Sequence, residues 1–124
     1  MPTTAVMTTQ EVANRFHELA QAGQWDKIQE ELYADDAVSI EPPTSQGLQS
    51  VEGKEAIRKK GEMFQNMVEE MHGGYSKEPQ VAGRFFSVAM GMDVTMKEMG
   101  RTQMDEIAVY EVKDGKIVKE QFFF

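Results

Sequence analysis

From residue 84 onward, bulky and small or polar side chains alternate with a period of two in three runs without proline: Arg84 to Lys97, Arg101 to Val112 and Lys116 to Phe124. Alternate side chains point to opposite faces of a pleated strand, so these runs predict long antiparallel strands. Turns at Glu98 to Gly100 and Lys113 to Gly115 join them, and the second carries the Asp-Gly pair that suits a tight hairpin. Upstream the period changes to that of helices. Thr8, with Glu11 three residues later, forms a capping-box start, and Val12, Phe16, Leu19 and Ala20 share one helical face up to the stop at Gly23. Trp25, Ile28 and Leu32 mark a short second helix. Val38 and Ile40 then alternate as a strand that runs to Glu41, where Pro42 and Pro43 end it. Thr44 to Gly53 is a loop, or a short strand near Leu48 to Val51. Ile57, Gly61, Phe64, Val68 and Met71 recur at helical spacing in a third helix, with Lys54, Arg58, Lys59 and Lys60 on its outer side and His72, Gly73 and Gly74 at its end. His72 is placed there to favour the last helical carbonyls. Tyr75 to Val81 reads as an edge strand because of Pro79.

Helices first and a curved sheet last make an α+β chain, read as a single domain over residues 1–124. The formal net charge of −8 offers no basic surface to phosphates, which argues against nucleic acid and anionic membranes as partners. With no cysteine there is no disulfide frame, thiol nucleophile or thiolate ligand, and two distant histidines give no metal-ligand spacing. The opening MPTTAVMTTQ has no signal-peptide pattern and no apolar run is long enough to span a bilayer, so a cytoplasmic location is the expectation. No phosphate loop, GxGxxG or nucleophile elbow appears, and no cofactor is expected. Ten methionines and seven phenylalanines suit either a core or an adaptable apolar lining.

The stretches AQAGQWDKIQEELYADDAVSIEPP, VEGKEAIRKKGEMF and DEIAVYEVKDGKIVKEQFFF resemble the nuclear-transport-factor-2-like superfamily, and within it the SnoaL-like and ketosteroid-isomerase-like proteins. The resemblance implies a cone-shaped, cystatin-like fold, with a curved antiparallel sheet wrapped by three N-terminal helices. It also implies a pocket between the sheet and helices one and three, and a homodimer across the outer sheet face.

Polar groups facing such a pocket would carry its chemistry. In the strand Arg101 to Val112, Gln103, Asp105, Ile107 and Val109 share one face, while Thr102, Met104, Glu106, Ala108 and Tyr110 share the other. Resemblance to the isomerases places the first set inside, with Asp105 matching an acid that donates to an oxyanion and Glu41 matching the general base. Two carboxyls in one apolar cavity would have raised pKa values, one serving as base and the other as proton donor, the division of labour found in ketosteroid isomerase. Phe16 stands where those enzymes carry an oxyanion-binding tyrosine, so steroid isomerisation itself is not expected. Glu120 is a third candidate acid, on a face with Val118, Phe122 and Phe124. Arg101, four residues before Asp105, could pair with it to orient water or could simply be solvated near its turn. His17 falls on the flank of helix one. The strand Arg84 to Lys97 puts Phe86, Val88, Met90, Met92, Val94 and Met96 on one side, and a small-residue face that suits dimerisation on the other. The expected ligand wall comprises Phe16, Phe64, Met90, Met92, Gln103, Ile107, Glu120 and Phe122. The expected ligand is a small apolar or aromatic carbonyl-type molecule. Two functions follow: a cofactor-independent isomerase, cyclase or dehydratase using Glu41 and Asp105, or a non-catalytic binding or adapter dimer.

Overall fold

The computed structural model describes residues 6–45 and 47–124, so part of the opening segment and Gln46 of the loop before the third helix lie outside the described residues. Helix α1 (Thr9–Gln21) begins at its sequence cap: the Thr8 hydroxyl accepts from the Glu11 amide at 3.1 Å, and the Glu11 carboxylate accepts from the Thr8 amide at 2.9 Å. Two amides that a helix start leaves open are thereby satisfied. Its apolar stripe of Val12, Ala13, Phe16, Leu19 and Ala20 is buried. Helix α2 (Trp25–Leu32) buries Ile28 and Leu32. Helix α3 (Lys54–Met67) is opened by Gly53 at φ 100°, a conformation that favours glycine, and buries Ile57 and Lys60.

The strands are β1 (Tyr33–Ile40), β2 (Val51–Glu52), β3 (Val68–Ser76), β4 (Gln80–Ala82), β5 (Phe85–Met96), β6 (Gly100–Lys113) and β7 (Lys116–Phe123). They form one sheet in the order β2-β1-β7-β6-β5-β3, with β4 beside β5. All neighbours are antiparallel except β1 and β7, which run parallel. The β6–β7 turn has positive φ at both Asp114 (51°) and Gly115 (75°), as a two-residue hairpin of this twist requires.

Helix α3 stops earlier than its apolar spacing predicts. Val68 and Met71 belong instead to β3, whose register runs from Val68 opposite Met96 to Ser76 opposite Met90. The free edge of β5 offers backbone partners to this segment, and Gly73 and Gly74 weaken any helix through it. His72 is therefore a strand residue, with Nε2 2.7 Å from the Thr95 hydroxyl, and caps no helix.

The helices cover the concave face of the curved sheet. Phe16 of α1 meets Tyr110 at 4.8 Å and Phe86 at 5.5 Å between ring centroids, and Phe86 stacks on Tyr110 at 4.9 Å. Phe86, Val88, Val94 and Met96 lie on the concave side of β5 as the alternation predicts. On β6 the inward face is the reverse of the one implied by resemblance: Ala108, Tyr110 and Val112 are buried, whereas Ile107 is 51% exposed. The register decides this. Tyr110 lies opposite Phe86 and Ala108 opposite Val88, so an inward face on β5 carries these residues inward with it. On β7 an extra residue interrupts the alternation, because Val112 opposes Ile117 while Glu111 opposes Lys119. Ile117 and Glu120 are consequently both buried, and Val118 drops out of the row it shares with Glu120 by simple parity.

Candidate functional site

The parallel pairing of β1 with β7 sets Ser39 directly beside Glu120, and Tyr33 opens β1 on the same floor. Glu120 accepts two hydrogen bonds, one on each oxygen, from the Tyr33 hydroxyl and from the Ser39 hydroxyl at 2.6 Å. Lys60 enters from α3. Its ammonium donates to the Ser39 hydroxyl and to Glu41 Oε2 at 2.7 Å, and it lies 5.5 Å from the centroid of the Phe122 ring. Both side chains of the Lys60–Glu41 pair are more than nine-tenths buried. Glu41 is held in place from both directions, since its amide donates to the Ser50 hydroxyl at 2.9 Å and Pro42 keeps it extended.

Glu106 completes the cluster from β6, opposite Met90. Burial, reinforced by the charges of Glu41 and Glu120 and eased by Lys60, pushes its carboxyl up to about 7. Burial also raises Glu120, against the bonds from Ser39 and Tyr33 and the Lys60 charge. The Tyr33 and Tyr110 phenols are both pushed well above their ordinary range, first by burial and then by the Glu120 charge. Because Glu41 balances Lys60, ionised Glu106 and Glu120 have no cation of their own. A proton held on Glu106 near neutrality relieves that imbalance.

Above this floor opens a depression of about 1540 Å³. Phe16, Phe64, Met90, Met92, Glu120 and Phe122 all line it, together with Met96, Met104 and Tyr110. One of the expected site residues lies elsewhere. Ile107 sits on the convex face. Gln103 and Asp105 share that face and are exposed, yet they also line the depression, with Asp105 beside Tyr75 and Gly91. Asp105 accepts from the Tyr75 hydroxyl at 2.8 Å and from Gln103 at 2.9 Å, and these bonds hold its carboxyl below its ordinary value. A buried acid that donates a proton is therefore not found at Asp105. Arg101 pairs with Asp93 at 2.8 Å on the same outer face, leaving no Arg101–Asp105 pair. His17 is half-buried with an enclosed, unpaired Nδ1 and does not line the depression. Among the described residues, no cluster of three His, Asp or Glu side chains could hold a metal ion, and no helix is long and apolar enough to cross a membrane.

The SnoaL-like domain family matches residues 7–124. The chain belongs to the SnoaL-like family. Among solved structures it is similar to a candidate SnoaL-like polyketide cyclase of Mesorhizobium loti, at 39% identity over 95% of this chain and 100% of that one, with a TM-score of 0.89. A nuclear-transport-factor-2-like protein of unknown function from Burkholderia pseudomallei shares the fold at 16% identity, over 94% of this chain and 89% of that one, with a TM-score of 0.74. So does a protein of ketosteroid-isomerase-like fold from Catenulispora acidiphila, solved with trimethylamine, at 14% identity over 94% and 87% of the two chains and a TM-score of 0.70. No curated protein matches the chain. Within this SnoaL-like cone, Tyr33, Ser39, Lys60, Glu106 and Tyr110 are residues that the sequence reading did not place in the site. Lys60 carries a signal, since it lies three residues after Ile57 and four before Phe64 on the apolar stripe of α3.

Proposed function

We infer that the hollow binds a small, largely apolar carbonyl-type molecule and moves a proton on it by carboxyl acid–base chemistry, in an isomerase- or cyclase-like reaction. One observation carries this reading: of the three carboxyls clustered on the floor of the hollow, Glu41, Glu106 and Glu120, Glu106 alone has no hydrogen-bond partner among the described residues. Glu41 is bound to Lys60 and Glu120 to two hydroxyls, whereas none of the described residues donates to Glu106. A carboxyl near 7 is half-ionised at neutral pH, the condition in which it can both take and return a proton. In the proposed step ionised Glu106 removes a proton from carbon next to the carbonyl. The electron pair moves onto the carbonyl oxygen, and protonated Glu106 returns the proton at a second carbon. Lys60 is engaged by Glu41 and Ser39 and stays outside the proton transfer. Glu41 is thus read as the partner that orients the ammonium, and Glu106 takes the proton-transfer role first considered for Glu41 and Asp105.

The test is a carboxyl-carbon NMR titration of Glu106, combined with deuterium uptake by 2-tetralone in heavy water. A midpoint near 7 and uptake lost in Glu106→Gln are expected. An ordinary carboxyl midpoint with no uptake would leave a binding protein.

The convex face supports a homodimer. Ala89, Ile107 and Phe123 form one row across β5, β6 and β7, flanked by half-exposed Phe85 and Tyr75. Sedimentation of the purified chain should give a dimer, and Ile107→Lys a monomer.

A further inference from the structure

Three hydroxyls surround the buried carboxyls, and two of them are used. Tyr33 and Ser39 donate to Glu120. The Tyr110 hydroxyl has no hydrogen-bond partner among the described residues, although the residue is only 3% exposed. A buried donor without an acceptor costs free energy that something must offset. This hydroxyl is not sealed inside the core. The fully enclosed, unpaired side-chain atoms among the described residues are His17 Nδ1 and Ser76 Oγ, while Tyr110 lines the hollow. Its ring is held by Phe16 at 4.8 Å and Phe86 at 4.9 Å, so the hydroxyl points in a fixed direction before any ligand arrives. Fixed donors of this kind are the ones that recognise a ligand oxygen at little ordering cost.

We propose that Tyr110 is the hollow's hydrogen-bond donor to a ligand oxygen, and that the site selects a neutral carbonyl or phenol oxygen over a carboxylate. The assignment rests on the reading of the hollow as the ligand site and adds to it a recognition residue and a substrate class. The preference for a neutral oxygen follows from the charges nearby. Glu106 and Glu120 both act on the Tyr110 phenol, and the only buried cation among the described residues, Lys60, is already engaged by Glu41 and Ser39. A ligand carboxylate would bring another negative charge with no cation to meet it. Its own surroundings keep the phenol protonated, so it donates a bond and does not act as a base.

Tyr110→Phe removes only the hydroxyl and keeps the ring packing, so its unfolding midpoint should match the parent's. Three probes of one shape separate the contributions: 2-acetonaphthone, 2-ethylnaphthalene and 2-naphthoate, titrated at pH 8 with binding followed by NMR. The parent should bind the ketone up to about tenfold more tightly than the hydrocarbon, the range of one neutral hydrogen bond, and naphthoate more weakly than the ketone. Tyr110→Phe should erase the preference for ketone while leaving the hydrocarbon's affinity unchanged. The infrared carbonyl stretch of bound 2-acetonaphthone should lie lower in the parent than in the variant. If the ketone preference and the stretch survive in Tyr110→Phe, or if naphthoate binds as well as the ketone, the assignment is overturned while the acid–base reading of Glu106 stands. If neither ketone nor hydrocarbon binds the parent, both readings fall together.

Discussion

Asp105 and Glu106 are adjacent in one strand and carry the same functional group, yet they live in different solvents. Asp105 stands on the convex face, where Gln103 first and then Tyr75 hold its carboxyl low by hydrogen bonds. Glu106 faces the hollow, where burial holds its carboxyl near 7. The same contrast separates the ion pairs of the two faces. On the convex side Arg101–Asp93 and Arg84–Glu111 are open to water, and pairs of that kind are screened and contribute little. On the concave side Lys60–Glu41 is enclosed, so each charge depends on the other to justify its burial. Residue type alone carries almost no functional information here. The face of the sheet carries it.

The comparison is put under most strain by removing one cation from each face. Lys60→Met leaves Glu41 buried without its partner and deprives Ser39 of a donor, and should cost about 3–5 kcal/mol in urea unfolding, the range for breaking one side of a buried pair. Adding Glu41→Gln to it should recover most of that loss. The matching Arg101→Met on the outer face should leave the urea midpoint within experimental scatter. Equal losses at the two positions would mean that the faces do not differ in dielectric setting.

A smaller effect, of opposite sign, is expected at Glu106. An acid whose folded pKa exceeds its unfolded value holds its proton more tightly when folded. The folded state therefore incurs no penalty below about 4.5, loses stability as pH rises toward about 7, and stays at the lower level above that. Glu106→Gln removes the penalty. Its stability should equal the parent's at pH 4.5 and exceed it by about 2 kcal/mol at pH 8, allowing for partial solvent screening. A variant less stable than the parent at pH 8 would mean that Glu106 is solvated or well paired.

Much of this arrangement is legible from the chain. The capping box at Thr8, the helical stripe through Phe16, the inward methionine face of β5 and the tight turn at Asp114 follow from local chemistry, and the structure contains them as expected. The face of β6 does not follow from its own composition, because Ile107 and Val109 on one side are as apolar as Ala108 and Tyr110 on the other. Counting the hairpin register from Met96 opposite Gly100 yields the correct face, whereas resemblance to the isomerases points to the wrong one. Lys60 eludes a reading by charge, since four basic residues crowd the start of α3 and only helical spacing separates it from its solvated neighbours. Glu120 falls inward as expected, but through a bulge that no alternation within β7 announces. The end of α3 is likewise set from outside, by an open edge on β5 that only the assembled sheet provides.

The mildest perturbation tests whether the two faces are independent. Gly91 is paired with Asp105 on β6 and Tyr75 on β3, and a methyl group there would crowd the Asp105 carboxylate and approach the Tyr75 ring to 2.6 Å. Both obstructing groups are side-chain ends on the open face, so they can swing outward without moving backbone. Gly91→Ala should therefore fold, with stability within about 1 kcal/mol of the parent, because lost contacts are partly offset by a less flexible unfolded chain. Its local effect should be sharper. With Tyr75 displaced from Asp105, a bond that lowers that carboxyl's pKa is weakened, and the NMR midpoint of Asp105 should climb toward the ordinary aspartate value. Glu106, one residue along but on the other side of the sheet, should keep its midpoint. A parallel shift at Glu106 would mean that the convex network helps to set the chemistry of the hollow, and the two neighbours would then have to be treated as one titrating unit.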